Sequence, residues 1–368
     1  MYSENDLVSI AKRENNKKRN YLVVNKLQGK HIPVSPRKAL DLFGELAEKI
    51  KNTYENERIL IIGFAETATA IGSAVASALG AMYTQTTREQ IENAEFLFFS
   101  EEHSHATEQK LVKNDIASVI GKTDRIIFVE DEVTTGNTIL NIIRVIRETF
   151  NTNIDFSVLS LINGMDSESE ERYKSLGIPT HYILKTDNNR YIPVAEKFSG
   201  NGDYYSPDDR QCACSGIFTI KGYPLNARRI INGTEYKESC EKLAERIMSE
   251  IPFKENEEVL VIGTEEFMYP AIYAGSRIAE KGCDVLTHST TRSPITVSKE
   301  EDYPLHSRYE LFSLYDEERR TFIYNLKKYD KVLIITDASM PSERALNVLV
   351  NAAASQGNDR IYIFKCEN

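Results

Sequence analysis

The chain has 368 residues, long enough for two domains and a sizeable core, and its 41% apolar and 27% charged composition is that of an ordinary globular protein. No apolar run approaches the roughly 20 residues that span a bilayer, and the polar N-terminus (MYSENDLVSIAKRENNKKRN) lacks a signal-peptide core, so a cytoplasmic location is expected. Acids outnumber bases 55 to 45, a net charge of −10; this argues against broad nucleic-acid binding but allows a phosphorylated ligand met by local donors.

Near the start, Gly29-Lys30-His31-Ile32-Pro33-Val34 leads into Ser35-Pro36, which read as N-cap and first helical residue. Leu40, Phe43, Ala47 and Ile50 mark the apolar face of the helix that follows. Residues 59–62 read as a buried strand, and Gly63-Phe64-Ala65-Glu66-Thr67-Ala68-Thr69 opens a second helix with Ala70, Ile71, Ala74, Val75, Ala78 and Leu79 inward. That turn reads either as an anion loop or as a plain helix start with Glu66 near the positive end of the dipole. Arg88 closes a Thr-Thr-Arg tripeptide; its guanidinium fork suits a diphosphate, the alternative being a solvated surface group. Residues 96–99 (FLFF) are a strand entering a polar segment, 100–108, that carries His103 and His105. Two histidines at that spacing are weak grounds for a metal site.

Residues 125–146, RIIFVEDEVTTGNTILNIIRVI, are the most informative stretch. Residues 126–129 form a buried strand, Glu130 and Asp131 follow, and then comes the turn Thr134-Thr135-Gly136-Asn137-Thr138. Beyond it the period changes, with Ile139, Ile142, Ile143 and Ile146 on one helical face. Backbone N–H groups at such a helix start hold an anion, Gly136 lets the chain turn, and the adjacent carboxylates accept from vicinal hydroxyls. A sugar phosphate fits that description.

Two long segments share one layout. LAEKI (46–50), a strand and helix (57–80) and Thr86-Thr87-Arg88 are matched by LAERI (243–247), a strand and helix (257–282) and Thr290-Thr291-Arg292. Residues 124–140 align without gaps on 330–346, which suggests duplication. In the second copy Thr336 replaces Glu130, Asp337 matches Asp131, and the Thr/Gly loop becomes Met340-Pro341-Ser342-Glu343, with Pro341 expected in the first helical turn and Ser339 near the cap. One sugar-phosphate site is therefore expected, in the first half. Residues 196–227 join the halves as loops and short strands rich in Gly, Pro, Asp and Tyr. Cys212, Cys214, Cys240, Cys283 and Cys366 form no CxxC pair and read as reduced thiols, a redox or metal role being left open for Cys212 and Cys214.

The run Glu130-Asp131-Glu132-Val133-Thr134-Thr135-Gly136-Asn137-Thr138 resembles the phosphoribosyl-diphosphate (PRPP) loop of type I phosphoribosyltransferases, of the orotate phosphoribosyltransferase-like kind. Ser289-Thr290-Thr291-Arg292-Ser293-Pro294 resembles the tetrapeptide that names the TRSP domain, which follows a phosphoribosyltransferase domain in proteins of tellurite-resistance (Ter) stress operons. The resemblance, which includes GKHIPVSP and SEEHSHATEQK, covers the chain from about Tyr21 onward. It implies an α/β, Rossmann-like phosphoribosyltransferase fold, a parallel sheet flanked by helices, in residues 1–225, and a diverged α/β TRSP domain in 228–368.

The resemblance further implies a Mg²⁺-dependent transfer of ribose 5-phosphate between PRPP and a nucleobase-like acceptor, with diphosphate release, in the making of a nucleoside-like stress metabolite. Glu130 and Asp131 would hold the ribose hydroxyls and act in catalysis; Thr134, Thr135, Gly136, Asn137 and Thr138 would bind the 5′-phosphate. Gly63, Thr67, Thr69 and Arg88 would receive diphosphate, while Glu66 in the same PRPP-binding loop would meet metal or hydroxyl, with Mg²⁺ held mainly through PRPP and in part by Glu130 and Asp131. A mobile flap would carry His103 and His105. Lys30 and His31 belong either to the acceptor pocket or to a surface turn. Thr291, Arg292, Ser293 and Asp337 would line a remodelled second site. Rivals are a PRPP- or nucleotide-binding regulator without transferase activity, and an enzyme cleaving a nucleotide in reverse. A homodimer is left open, and partners from nucleic acid or membrane are not expected.

Overall fold

A computed structural model describes residues 2–14, 19–99, 109–212 and 214–367. In chain order the strands are the hairpin β1 (Val8–Lys12) and β2 (Tyr21–Asn25), then β3 (Ile59–Gly63), β4 (Met82–Gln85), the hairpin β5 (Phe96–Phe99) and β6 (Gln109–Val112), β7 (Arg125–Val133), β8 (Asp155–Asn163) and β9 (Thr180–Lys185). The second half follows with β10 (Asp203–Tyr205), β11 (Gly216–Lys221), β12 (Ile231–Asn232), β13 (Glu258–Gly263) and β14 (Asp284–Ser289). The hairpin β15 (Ser307–Phe312) and β16 (Arg320–Tyr324), then β17 (Lys331–Thr336) and β18 (Ile361–Glu367), complete it.

Two parallel sheets dominate. One runs β4-β3-β7-β8-β9 with β12 added antiparallel at the β4 edge; the other runs β14-β13-β17-β18-β11, parallel throughout. Their central strands are near-continuous apolar runs because both faces are covered, as parallel sheets require. From β3 the chain moves outward to β4, and from β7 outward the other way through β8 to β9. The switch point therefore lies between β3 and β7, where such sheets open a crevice at the carboxyl ends of their strands.

The shared layout extends to side chains. Arg125 Nε pairs with Glu57 Oε2 at 2.6 Å, and the aligned Lys331 pairs with Glu257. Asp124 accepts the N–H of Arg58 at 2.8 Å, and Asp330 that of Glu258 at 2.9 Å. Thr87 bridges to Lys110 on β6, as Thr291 does to Phe322 on β16. One edge differs in origin: β9 follows β8 in the chain, whereas β11, beside β18, precedes the rest of the second half. The joining segment thus contributes β10 and β11, both paired with second-half strands.

Helix Pro36–Glu48 begins at its expected cap, Ser35, and Asn137–Phe150 buries Ile139, Ile142, Ile143 and Ile146 as its period requires. The helix after β17 departs from expectation. Ser342, not Ser339, caps it, because Ser342 Oγ accepts the N–H of Ala345 at 3.0 Å; Pro341 lies ahead of the cap and the helix is Glu343–Ala354. The β1/β2 hairpin ties the halves together by strand alternation: Tyr21 and Val23 enter the first core, while Leu22 and Val24 pack with Ile295, Val297 and Tyr303. Cys212 and Cys214 pack at the edge of a second-half core, while Cys240, Cys283 and Cys366 are buried. No helix among the described residues is long and apolar enough to cross a membrane.

Candidate functional site

Glu130 and Asp131 lie inside β7, which runs four residues past the expected end at Val129. The reason is β8, which continues alongside and pairs its backbone through Asn163. Glu132 turns away to Asn188 Nδ2 (2.7 Å) and Arg19 Nη2 (2.5 Å). Asp131 is held differently: its Oδ1 accepts the Thr67 hydroxyl at 2.7 Å. Burial raises the Asp131 carboxyl above the ordinary aspartate range and the charge of Glu132 adds to this, against relief from Thr67 and backbone N–H groups. A carboxylate in that setting is ready to take a hydroxyl or a cation.

Beyond Val133 the chain turns through Thr134 and Thr135 to Gly136, whose φ of +70° places it in the left-handed region as the cap of Asn137–Phe150. Two side chains from the helix Ser167–Ser175 fix this turn. Tyr173 Oη donates to Gly136 O at 2.6 Å and Arg172 Nη2 to Thr135 O at 2.6 Å. A Cβ on Gly136 would lie 2.3 Å from Tyr173 Oη. Gly136→Ala is therefore expected to cost about 2–4 kcal/mol, from left-handed strain plus overpacking. Thermal melting of the variant checks this, and an unchanged midpoint would refute it.

The turn after β3 faces this loop across the switch point. Gly63 is required there, since a Cβ would lie 2.8 Å from Tyr83 Oη and 3.0 Å from Ala68 O. The turn, which contains a cis peptide between Ala65 and Glu66, is held on several sides. Thr86 Oγ1 accepts Ala65 N–H (2.8 Å), Gln109 Nε2 donates to Ala65 O (2.8 Å), and Gln28 Nε2 donates to Thr67 O (2.6 Å). Thr67 thus joins the diphosphate-candidate turn to Asp131. Thr69 does not face the crevice: it is buried, with its hydroxyl 3.4 Å from Glu66 O.

Glu66 is committed elsewhere. Lys30 Nζ approaches it at 2.5 Å, Arg292 Nε at 3.3 Å, and the Thr291 hydroxyl also reaches it. Burial works against its ionisation, but Lys30 and Arg292 outweigh burial and hold the carboxyl well below the glutamate range. Its two cations leave it no metal-binding role. Lys30 and His31, expected in an acceptor pocket or a surface turn, are not in a surface turn: both are buried, Lys30 against second-half residues. Lys30 also donates to Glu265 O and Thr290 O at 2.9 Å each, and burial with the nearby Lys30 charge lowers His31 to about 3, leaving it neutral. Arg88 lies three residues beyond β4, its backbone N–H donating to Glu266 Oε1 at 3.0 Å. His103 and His105 lie outside the described residues.

The second-half residues are brought together differently. Arg292 joins Glu265 (2.6 Å), Glu89 (2.5 Å) and Glu66 in one buried ion network with Arg319. Asp337 is closed over: Tyr315 Oη donates to its Oδ1 at 2.5 Å and Arg228 pairs with its Oδ2. Thr336, in the place of Glu130, takes the Thr264 hydroxyl at 2.8 Å. Thr291 is fully buried and bridged to Phe322, while Ser293 O accepts the Tyr324 hydroxyl at 2.6 Å. Sequence reasoning missed Gln28, Gln109, Tyr173 and Glu266. Only Glu266 left a signal, because aligning Gly63 with Gly263 places it on Glu66.

Solved structures to which the chain is similar include adenine phosphoribosyltransferase from Rhodothermus marinus DSM 4252, 15% identical, covering 50% of this chain and 96% of that one with a TM-score of 0.36. The Trypanosoma brucei enzyme, in complex with AMP, pyrophosphate and ribose-5-phosphate, is 11% identical and covers 50% and 79%, with a TM-score of 0.34. The Giardia lamblia enzyme, complexed with 9-deazaadenine, is 17% identical and covers 50% and 99%, with a TM-score of 0.33. No curated protein matches the chain. A family model described as "Phosphoribosyl transferase" matches residues 7–186, and one described as "TRSP domain C terminus to PRTase_2" matches residues 230–353. The chain belongs to the phosphoribosyltransferase family, in the form that carries a TRSP domain behind the transferase domain.

Proposed function

We propose that the first half transfers ribose 5-phosphate from PRPP to a nucleobase-like acceptor, releasing diphosphate, to make a nucleotide-like product. The observation that carries this is the meeting, at one sheet switch point, of an acid pair, a Thr/Gly helix-start loop and a second anion-competent turn tied to Asp131 through Thr67. In this reading the backbone N–H groups of Asn137 and Thr138 and the Thr134 and Thr135 hydroxyls take the 5′-phosphate. Glu130 and Asp131 accept from the 2′- and 3′-hydroxyls and stabilise the positive charge that develops as the C1′ bond breaks. Arg88 and the backbone of the Gly63–Thr67 turn receive the departing diphosphate.

No group of three or more His, Cys, Asp or Glu side chains among the described residues could hold a metal alone. A divalent cation here would rest mainly on ligand oxygens, and the half-buried Asp131 carboxylate, its known side-chain donor a neutral hydroxyl, fits a contribution to it. Mg²⁺ so held would neutralise charge on the diphosphate. The acceptor is chosen by loops that vary between members of a fold, so the test is empirical. The protein is incubated with PRPP and Mg²⁺ against a panel of nucleobases, and diphosphate release is followed. Release with one base supports transfer and identifies the acceptor; tight PRPP binding without release from any base would replace transfer by sensing.

A further inference from the structure

The two halves meet through corresponding parts. Helix Pro36–Glu48 packs on Tyr269–Ala279, and Gly233–Glu250 packs on Thr69–Leu79. Val34, just ahead of the first of these, bridges to Thr287 on β14, as Ile231, just ahead of Gly233–Glu250, pairs with Tyr83 on β4. Each half thus reaches the sheet edge of the other, the first by a single bridge and the second by the short strand β12.

The exchange extends to two carboxylates. Glu66 and Glu266 each lie three residues beyond the glycine that ends β3 or β13. Glu66 accepts the backbone N–H of Arg292 at 3.3 Å, from the second half's Thr-Thr-Arg. Glu266 accepts the Thr87 hydroxyl at 2.7 Å and the Arg88 backbone N–H at 3.0 Å, from the first half's Thr-Thr-Arg. Glu266 is itself buried and anchored by Arg228 Nε at 2.9 Å. Burial disfavours its ionisation, yet Arg228 and Arg292 hold it ionised.

The symmetry ends at the strand tips. Asp131 meets the neutral hydroxyl of Thr67, whereas Asp337 is capped by Tyr315 and neutralised by Arg228. The second half therefore retains the frame of a site and fills it with its own side chains, while its turn carboxylate reaches across.

We propose that Glu266 of the TRSP half is a positioning residue for the diphosphate end of the first-half site. It fixes the backbone from which Arg88 extends. The proposal rests on the phosphoribosyl-transfer reading above and assigns the second half a support role for that site. A buried carboxylate with three donors has little freedom to shift, and placement of an anion clamp is sensitive to displacements below an ångström.

The test uses the full chain and calorimetric binding of three probes in Mg²⁺: PRPP, inorganic diphosphate and ribose 5-phosphate. Glu266→Ala should weaken PRPP and diphosphate about tenfold and leave ribose 5-phosphate unchanged, since the 134–138 loop is untouched. Glu266→Gln should recover most of the loss, because its amide oxygen still accepts from Thr87 or Arg88. If the alanine variant does not fold, Thr87→Val removes one donor from the same carboxylate and should shift the same two affinities. Equal weakening of all three probes, or no change in any, would overturn the proposal. Wild-type protein that binds none of them would remove the phosphoribosyl reading as well; wild-type binding with unaltered selectivity in the variants removes the positioning role alone.

Discussion

Asp131→Asn is expected to lower turnover by about 10²–10³-fold, the usual loss when a preorganised electrostatic group at a transition state is removed. The same change should raise thermal stability at neutral pH. Asp131 has a folded pKa above its unfolded one, from burial first and the neighbouring Glu132 second. Such a group favours the fold while protonated; that contribution is present below the unfolded pKa and is lost as pH rises through the folded value. Ionised Asp131 therefore costs stability at neutral pH, and a neutral amide in its place would not. The amide oxygen still accepts from Thr67, so the turn keeps its link. Melting curves of both proteins at neutral and acid pH check the account: the variant should lead at neutral pH, and the gap should close as pH falls. Near-normal turnover would remove the catalytic assignment, and a variant less stable at neutral pH would remove the burial argument. Loss of activity with gain of stability is the signature of a residue kept for chemistry.

Arg292→Met is expected to be among the most destabilising single changes in the chain, at about 3–5 kcal/mol, because it breaks a buried ion network from the cationic side. Arg292 is nine-tenths buried and lies within 2.5–3.6 Å of Glu89, Glu265, Glu66 and Glu266. Methionine fills the volume but leaves these carboxylates with fewer counter-charges in a medium that solvates them poorly. The orphaned glutamates would then titrate at higher pH than in the wild type, so the deficit should shrink as pH is lowered and they protonate. Unfolding midpoints of both proteins between about pH 5 and pH 8 measure this. By contrast, Arg144→Met removes an exposed i,i+4 pair with Glu148 and should cost less than about 0.5 kcal/mol. Comparable losses from the two variants would mean that the seam is more hydrated than its burial indicates. Arg292→Lys should keep only part of the stability, since an ammonium lacks the fork that serves several carboxylates at once.

Legibility in the sequence divides along a physical line. The apolar runs of β3, β7, β13 and β17, the helix caps at Ser35 and Gly136, and the change of period after Thr138 are local, and each was readable. The acid pair was legible because its neighbours in sequence are also its neighbours in space. The burial of Lys30 and the ion pairing of Glu66 were not legible, for the opposite reason. Their partners, Glu265, Thr290 and Arg292, are more than 200 positions away in the chain from Lys30 and, for Arg292, from Glu66, and no local pattern announces a buried ion pair. The end of β7 was set too early because a strand continues as long as its neighbour does, and β8 runs on to Asn163.

Residues 125–146 by themselves determined that this chain sets a Thr/Gly helix-start turn beside two carboxylates, because strand, turn and helix start are encoded by composition and period over a few residues. The internal repeat was equally present in the letters, as paired glycines, Thr-Thr-Arg tripeptides and aligned strands. Only the tertiary structure decided that the repeats interlock, that Glu66 and Glu266 cross between them, and that Asp337 is shut by Tyr315 and Arg228 while Asp131 meets the neutral hydroxyl of Thr67. Two aspartates that look alike in sequence differ because burial and counter-charge come from distant chain segments, and those are brought into contact only when the chain folds.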